Sequence, residues 1–187
     1  MSDTSERPAV LGGNPAYPAG PPEWPVDDPA IAEVFQQLVS TGDWGRYRGP
    51  HCDALRQALR DYHNCENAHL CASGTAAVEL ALKAVGVKAG DEVVMSAYDF
   101  KANFTNILML EATPVLIDVR PQDWQMDVEQ LENALTEKTA AVIATHLHGG
   151  VVNMKCVREI CRPRQIPIIV DICQLEGARI QGICAGM

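Results

Sequence analysis

The chain has 187 residues and a formal net charge of −9, with 47% hydrophobic and 21% charged residues. This length and balance are typical of a globular protein with a sizeable core, and the negative charge argues against a nucleic-acid-binding surface. No apolar run approaches the roughly 20 residues of a transmembrane helix. The first residues lack a signal-peptide pattern, so we predict a cytoplasmic protein.

The seven cysteines are scattered along the chain and include no Cys-X-X-Cys pair. This distribution is typical of free thiols in a reducing compartment. No spacing of His, Cys and Asp matches a zinc motif, so we predict no metal site.

The first 29 residues are rich in Pro and Gly and predict an extended arm rather than a helix. Two aspartates followed by a proline then predict a capped helix over 29–40. The loop 42–49 carries two aromatic residues and two arginines, which are common at binding surfaces, although the aromatics could equally pack the loop itself. We predict two parts, with the arm, helix and loop at 1–50 and a second domain at 51–187.

From residue 51 onward, helical and strand patterns alternate. Alternation of this kind gives βαβ units, and we predict an α/β fold, a three-layer sandwich with a mostly parallel sheet. Helices are predicted over 52–63, from 73 onward, and over 100–111, 128–135 and 155–161, and strands over 68–71, 92–96, 114–119, 140–146 and 166–171.

The turn Ser73-Gly74-Thr75 leads from the predicted strand 68–71 into an Ala/Leu-rich helix. A helix N-terminus presents free backbone N–H groups, which form an anion site that phosphate usually occupies. Taken alone, this signal is weak because Ser73 could be an ordinary N-cap.

The last predicted strand is short, β-branched and apolar, which is typical of a central parallel strand, and it ends in Asp171. Open α/β sheets bind ligands at the carboxyl ends of their strands, so a carboxylate there needs a partner. One such partner is a pyridinium nitrogen, which the aspartate keeps protonated so that the ring can act as an electron sink. Alternatively, Asp171 caps a following helix or pairs with a cation.

Other chemistry-bearing side chains also follow predicted strands. Phe100 comes shortly after strand 92–96, and His146 and His148 lie at the end of strand 140–146. If these strands are neighbours, the side chains converge with Asp171 at one edge of the sheet. Phe100 could instead be a core residue, and His146 a hydrogen-bonded structural histidine.

Five ordered motifs resemble the DegT/StrS family of pyridoxal-phosphate-dependent sugar aminotransferases, within the fold type I superfamily. The resemblance implies an incomplete large domain of such an enzyme, with pyridoxal 5′-phosphate as cofactor. The motifs are Ser73–Ala77, Gly90–Val93 with the aromatic Phe100, Pro114–Val119, His146–Gly149 and Asp171–Ala178.

The resemblance also implies roles for individual residues. Gly74 and Thr75 would hold the cofactor phosphate, Phe100 would stack on the pyridine ring, and Gln174 would bond the ring's hydroxyl side. Asp171 would be catalytic through the ring nitrogen. The predicted cofactor-binding residues are therefore Gly74, Thr75, Phe100, His146, Asp171 and Gln174.

This chain departs from the family pattern at several positions. Asp99 stands where the family usually has a small hydroxyl residue, and Lys101 where it has an apolar one; Glu176 replaces a histidine, and Val170 replaces an acidic residue. The family's Schiff-base lysine lies beyond Asp171, and the sequence ends before the corresponding segment.

Three hypotheses follow. In the first, the chain is a subunit of a split aminotransferase whose second chain supplies the lysine and a small C-terminal domain. Its substrates would be an amino donor and a keto-sugar, cyclitol or related natural-product intermediate. In the second, the chain is a non-catalytic regulatory or binding protein. In the third, Lys101 serves as an unusual lysine, unless it is an ordinary solvated residue. Because the family also contains dehydratases, the reaction type stays open.

Overall fold

The computed structural model describes residues 7–186, and the chain divides between Gly49 and Pro50 into two compact units. The first six residues of the predicted arm lie outside the described residues. In the first unit, helix α1 spans Pro29–Thr41, and Asp28 caps it by accepting a hydrogen bond from Ala30 N at 2.9 Å. Gly42 has a φ of +73° and ends this helix in the left-handed conformation that favours glycine.

The second unit contains the remaining helices and all of the described strands. The helices are α2 (Pro50–His63), α3 (Gly74–Ala84), α4 (Lys101–Met109), α5 (Val128–Ala134) and α6 (Met154–Cys161). The strands are β1 (Glu92–Ser96), β2 (Thr113–Ile117), β3 (Thr139–Thr145), β4 (Ile168–Asp171), β5 (Arg179–Ile180) and β6 (Ile183–Cys184), and one-turn 3₁₀ helices lie at Ala9–Leu11, Asp43–Gly45 and Arg162–Arg164.

Strands β1 to β4 form a parallel sheet in the order β2-β1-β3-β4. Successive side chains of a strand point to opposite faces, and β1 shows both faces buried. Val93 and Met95 pack with side chains of α3 and α4, whereas Val94 packs with those of α5 and α6. The predicted three-layer α/β sandwich is therefore confirmed.

Two differences from the predicted strands have local causes. The last strand of the sheet begins at Ile168 rather than at residue 166, because Pro167 has no N–H to donate to a ladder; only its carbonyl pairs, with Val142 N at 3.0 Å. The predicted strand 68–71 is wrong. A strand needs a hydrogen-bonded neighbour, and within residues 7–186 no strand pairs with this irregular segment.

The second unit also contains a short hairpin near its C-terminal end. Strands β5 and β6 form a short antiparallel hairpin that the sequence patterns did not predict.

Among the described helices, none combines the length and the apolar character that crossing a bilayer requires.

Candidate active site

The parallel sheet brings three strand ends together. Strands β1 and β4 flank β3, and Thr145 at the end of β3 lies in register with Asp171 at the end of β4. The carboxyl ends of neighbouring parallel strands lie at one edge, where open α/β sheets bind ligands. The segments after these strands therefore meet at the same edge.

Helix α3 directs its N-terminus toward this edge. The side chain of Ser73 accepts a hydrogen bond from Ala76 N at 3.1 Å, and the Ser73 carbonyl accepts one from Ala77 N at 3.0 Å. Gly74 and Thr75, the first two helical residues, have amides for which a helix offers no internal acceptor. The helix is held in place by Asn106, whose amide donates to the Thr75 carbonyl at 2.9 Å.

A cavity of about 260 Å³ lies between the helix N-terminus and the strand ends. Five of the six predicted cofactor-binding residues line it. Size alone does not select this cavity, since grooves of about 290 to 500 Å³ lie elsewhere. The chemistry of its lining distinguishes it, and the lining residues are Gly74, Thr75, Phe100, Asn103, Thr145, Asp171, Cys173 and Gln174.

Gly74 allows the loop after β4 to approach helix α3 closely. A Cβ atom at Gly74 would lie 2.8 Å from the Cys173 Sγ, closer than real contacts allow. The glycine therefore leaves room for the Cys173 thiol, which forms a wall of the cavity beside the start of the helix.

Asp171 is only 7% exposed, and both of its carboxylate oxygens accept hydrogen bonds. Oδ1 accepts one from Cys173 N at 3.0 Å, and Oδ2 accepts one from Asn103 Nδ2 at 3.1 Å. Turns rather than a helix follow Asp171, so it is not a helix cap. Each oxygen keeps a further lone pair with which it can accept a donor from a ligand.

Phe100 and Gln174 add a ring face and an amide to the cavity. The Phe100 side chain is 52% exposed and therefore offers free aromatic surface. Gln174 Oε1 accepts a hydrogen bond from His148 N at 2.7 Å, which leaves the amide Nε2 as its donor group.

Sequence reasoning missed three of the lining residues: Asn103, Thr145 and Cys173. Asn103 is 1% exposed, and its Nδ2 lies 3.1 Å from both Asp99 Oδ1 and Asp171 Oδ2. Thr145 donates its hydroxyl proton to Asp99 Oδ2 at 2.8 Å. The one local signal was the spacing of Asp99 and Asn103, four residues apart at the start of a helix.

Burial shifts the protonation of two groups at this edge. Burial raises the pKa of Asp99; hydrogen bonds from Thr145, the Phe100 amide and Asn103 oppose the shift, and the charge of Asp171 adds to it. Burial, together with the hydrogen bond to Asp171 and its charge, raises the pKa of Cys173 to about 11. The Cys173 thiol is therefore protonated at neutral pH and is a poor nucleophile.

The structure does not bring His146 into this cavity. Successive side chains of a strand alternate in direction. Thr145 lines the cavity, and His146 lines a separate one of about 350 Å³. The ring is fully buried, and its Nδ1 accepts a hydrogen bond from Val152 N at 3.1 Å. Within residues 7–186 its Nε2 has no hydrogen-bond partner.

No lysine is among the eight lining residues in the described part of the chain. Lys101, the candidate of the third hypothesis, begins helix α4 and is exposed. Likewise, no three His, Cys, Asp or Glu side chains of the described residues come together as a metal-binding group.

A three-layer sandwich with a helix N-terminus and a buried carboxylate at neighbouring strand ends is typical of fold type I pyridoxal-phosphate-dependent aminotransferases. The sequence profile of the DegT/DnrJ/EryC1/StrS aminotransferase family matches residues 26–187, and the chain belongs to this family. The predicted family is therefore confirmed.

Known proteins of similar sequence and structure agree with this assignment. An L-glutamine:2-deoxy-scyllo-inosose aminotransferase of Streptomyces lividus is 36% identical over 183 residues, which cover 95% of this chain and 43% of that protein. The crystal structure of 3-amino-5-hydroxybenzoic acid synthase has a TM-score of 0.81 at 27% identity, covering 88% of this chain and 43% of that one. NtdA from Bacillus subtilis, with bound cofactor PMP, has a TM-score of 0.76 at 27% identity, covering 81% of this chain and 35% of that one.

The chain thus spans less than half the length of the curated relatives that it matches. The predicted cofactor, pyridoxal phosphate, is supported at the level of the family by the PMP that NtdA binds.

The close approach of Gly74 and Cys173 gives a first test. Replacing Gly by Ala at an unstrained site usually stabilises a protein by about 0.4–1 kcal/mol. We expect Gly74→Ala to destabilise instead, by about 1–3 kcal/mol, because the new methyl group overpacks the Cys173 thiol. Urea unfolding measures the change. The control is Gly74→Ala combined with Cys173→Ala, which should recover most of the loss; an additive double variant would contradict the contact.

The second test concerns His146. Burial lowers its pKa, which the Asp171 charge only partly offsets, so the folded protein holds the ring neutral. The stability from this group is complete above the ordinary histidine pKa and is lost as the pH falls below it, toward the lower folded value. We expect the free energy of unfolding to decrease below about pH 6.5. The decrease should be smaller in His146→Asn, because asparagine does not titrate in this pH range. Nitrogen-15 NMR at about pH 6 should find a neutral ring protonated on Nε2; a doubly protonated ring would refute this.

Proposed function

We propose that residues 1–187 are the cofactor-binding N-terminal part of a pyridoxal-phosphate-dependent aminotransferase. One observation carries the proposal: a single cavity joins the free amides of a helix N-terminus to a buried carboxylate at a strand end. These two ends have opposite electrostatic character. They suit the phosphate and the protonated ring nitrogen of one pyridoxal phosphate molecule.

The phosphate would lie at the start of helix α3. The amides of Gly74 and Thr75 are the donors there, and the partial positive charge of the helix end adds to them. Ser73 binds Ala76 N of its own helix, which leaves the first two amides for the ligand. The missing side chain at Gly74 lets the Cys173 side chain approach the helix beside those amides.

The ring nitrogen would face Asp171. Its carboxylate already accepts from Cys173 N and Asn103 Nδ2, which fix its orientation, and it would accept a third hydrogen bond from the protonated nitrogen. Bound pyridoxal phosphate supplies an electron-withdrawing ring that stabilises negative charge developing at the carbon of the amino substrate. Asp171 would support this chemistry by holding the proton on the ring nitrogen.

The ring faces and edges would be held by Phe100 and Gln174. The exposed aromatic ring of Phe100 offers a stacking surface. The Oε1 of Gln174 is occupied by His148 N, so its Nε2 would donate to the hydroxyl side of the cofactor. His146 lies outside the cavity, so we assign it no contact with the cofactor.

The lysine that binds the cofactor covalently would come from outside the eight lining residues, none of which is a lysine. The sequence-based hypothesis of a second chain that supplies it remains our proposal for the assembly. Further residues of the same polypeptide would supply the lysine equally well, since the chain spans about 43% of the length of its curated relative from Streptomyces lividus.

For the substrates, we propose a keto-cyclitol as amino acceptor and glutamine as amino donor. The support is the relative from Streptomyces lividus, named for glutamine and 2-deoxy-scyllo-inosose, at 36% identity over 95% of this chain. The second candidate function is a non-catalytic protein that binds the cofactor. The lysine-free lining of the cavity favours it.

Covalent trapping distinguishes these alternatives. Borohydride reduction of the assembled protein with pyridoxal phosphate attaches the cofactor to the lysine that holds it, and peptide mapping identifies that lysine. We expect the adduct outside residues 1–187. An adduct on Lys101 would favour the third hypothesis, and the absence of both adduct and turnover would favour the non-catalytic alternative.

Asp171→Asn tests the role of the carboxylate. The amide cannot hold a proton on the ring nitrogen as a charged partner does, so we expect turnover to fall by about 10²–10³-fold. Folding should persist because the replacement is isosteric. The matched control is Asp118→Asn: this residue follows β2, outside the cavity, and should leave turnover unchanged. Near-normal turnover in Asp171→Asn would refute the assignment.

A further inference from the structure

Asp99, a departure from the family pattern, is bonded into the candidate site. It follows β1, and both of its oxygens accept hydrogen bonds: Oδ1 from Phe100 N at 2.6 Å and from Asn103 Nδ2 at 3.1 Å, and Oδ2 from the Thr145 hydroxyl at 2.8 Å. Because Asn103 and Thr145 line the cavity, Asp99 forms the layer behind its wall. We propose that Asp99 is a positioning residue that fixes, through Asn103, the Asp171 carboxylate toward the cofactor ring nitrogen. This inference rests on the proposed function.

The Asn103 amide is the link between the two carboxylates. Its NH₂ group has two protons and lies 3.1 Å from Asp99 Oδ1 and 3.1 Å from Asp171 Oδ2. A flipped amide would place its carbonyl oxygen against two acceptors that offer no proton. With both carboxylates present, only one orientation of the amide is satisfied. Asp99 thereby determines that Asp171 receives a donor from Asn103.

Thr145 closes the network from the sheet. It lies in register opposite Asp171, yet it donates its single hydroxyl proton to Asp99. Its oxygen, 3.4 Å from Asn103 Nδ2, is left as an acceptor. The network therefore connects the ends of β1, β3 and β4 to the first turn of α4. Asp99 accepts hydrogen bonds from both α4 and β3 in this network.

Burial makes an ionised Asp99 unfavourable for the fold. Burial and the Asp171 charge raise the pKa of Asp99, so the ionised form is disfavoured by the fold. Asp171 on β4 is the charged group that acts on Asp99, and the partners on α4 and β3 are neutral. His146, beyond the end of β3, interacts with Asp171 and is itself held neutral by burial. In its ionised form Asp99 adds a second negative charge near Asp171, and that charge would favour a protonated ring nitrogen.

The test compares wild-type protein, isolated with any partner it retains, with Asp99→Asn. The matched control is Asp91→Asn, because Asp91 flanks the opposite end of β1 and its carboxylate accepts a hydrogen bond from Lys88 N in its own turn, away from the cavity. The probe is pyridoxamine 5′-phosphate labelled with nitrogen-15 in the ring, since its binding requires no lysine. NMR then reports the pH at which the bound ring nitrogen loses its proton. Inorganic phosphate serves as a second ligand that senses only the helix end of the cavity.

We expect the deprotonation midpoint of the bound ring to move to lower pH in Asp99→Asn and to stay in place in Asp91→Asn. Affinity for pyridoxamine phosphate should fall about tenfold, because the Asp171 carboxylate is no longer held in one direction toward the ring nitrogen. Affinity for inorganic phosphate should be unchanged. At neutral pH the variant should be at least as stable as wild type. A group with a raised folded-state pKa contributes stability that is lost as the pH rises through that pKa, and Asn removes this loss.

Two further observations distinguish a failure of this inference from a failure of the proposed function. Without ligand, the side-chain amide protons of Asn103 should shift upfield in Asp99→Asn and in Asp99→Ser, because a charged acceptor is lost. Unchanged amide signals, an unchanged ring midpoint or a large loss of stability would each overturn the positioning role. If wild-type protein fails to bind pyridoxamine phosphate, the proposed function fails as well; if it binds and the ring midpoint does not move, only this inference fails.

Discussion

The carboxylate of Asp171, buried at the end of β4, constrains the structure around it, because an ionised group removed from water needs hydrogen-bond donors. One donor comes from its own loop, at Cys173 N, and the other from helix α4, at Asn103 Nδ2. The loop donor fixes the turn after β4, and that turn places Cys173 against Gly74 of helix α3. The helix donor fixes α4 on the sheet. These two hydrogen bonds thus connect the helix α3 end of the cavity to its carboxylate end.

The sequence allowed the layered architecture to be predicted because its signals are local. Alternating strand and helix patterns and short β-branched runs specify a parallel sheet buried on both faces. The prediction of a strand over 68–71 failed because a strand also depends on a hydrogen-bonded neighbour, which no local pattern reveals. The residues behind Asp171 were missed for the same reason. Thr145 matters because of its register opposite Asp171, and Asn103 matters because α4 packs across the ends of β3 and β4. His146 was expected at the correct edge, but the alternation of the strand turns its ring away from the cavity.

The network of Asp99, Asn103, Thr145 and Asp171 illustrates how a buried polar cluster differs from an apolar core. Apolar contacts such as those around Met95 tolerate several arrangements of similar volume. Here each donor has an assigned acceptor, so the orientation of each group depends on its neighbours in the network. Such a cluster contributes one defined geometry more than it contributes stability. That property suits a site that must hold a carboxylate in a fixed direction.

The charge distribution of the cavity narrows the kind of ligand that it can accept. None of the eight lining residues is cationic, and the Asp171 carboxylate makes one end negative. The other end is positive through the amides and dipole of helix α3 alone. A simple anion would be held at the helix end alone, and a simple cation would be held at the carboxylate end alone. A ligand that is anionic at one end and protonated at the other, with a flat ring between them to contact Phe100, satisfies both ends at once. Pyridoxal phosphate has this form, and so the charge distribution of the cavity is consistent with the cofactor that the family assignment gives.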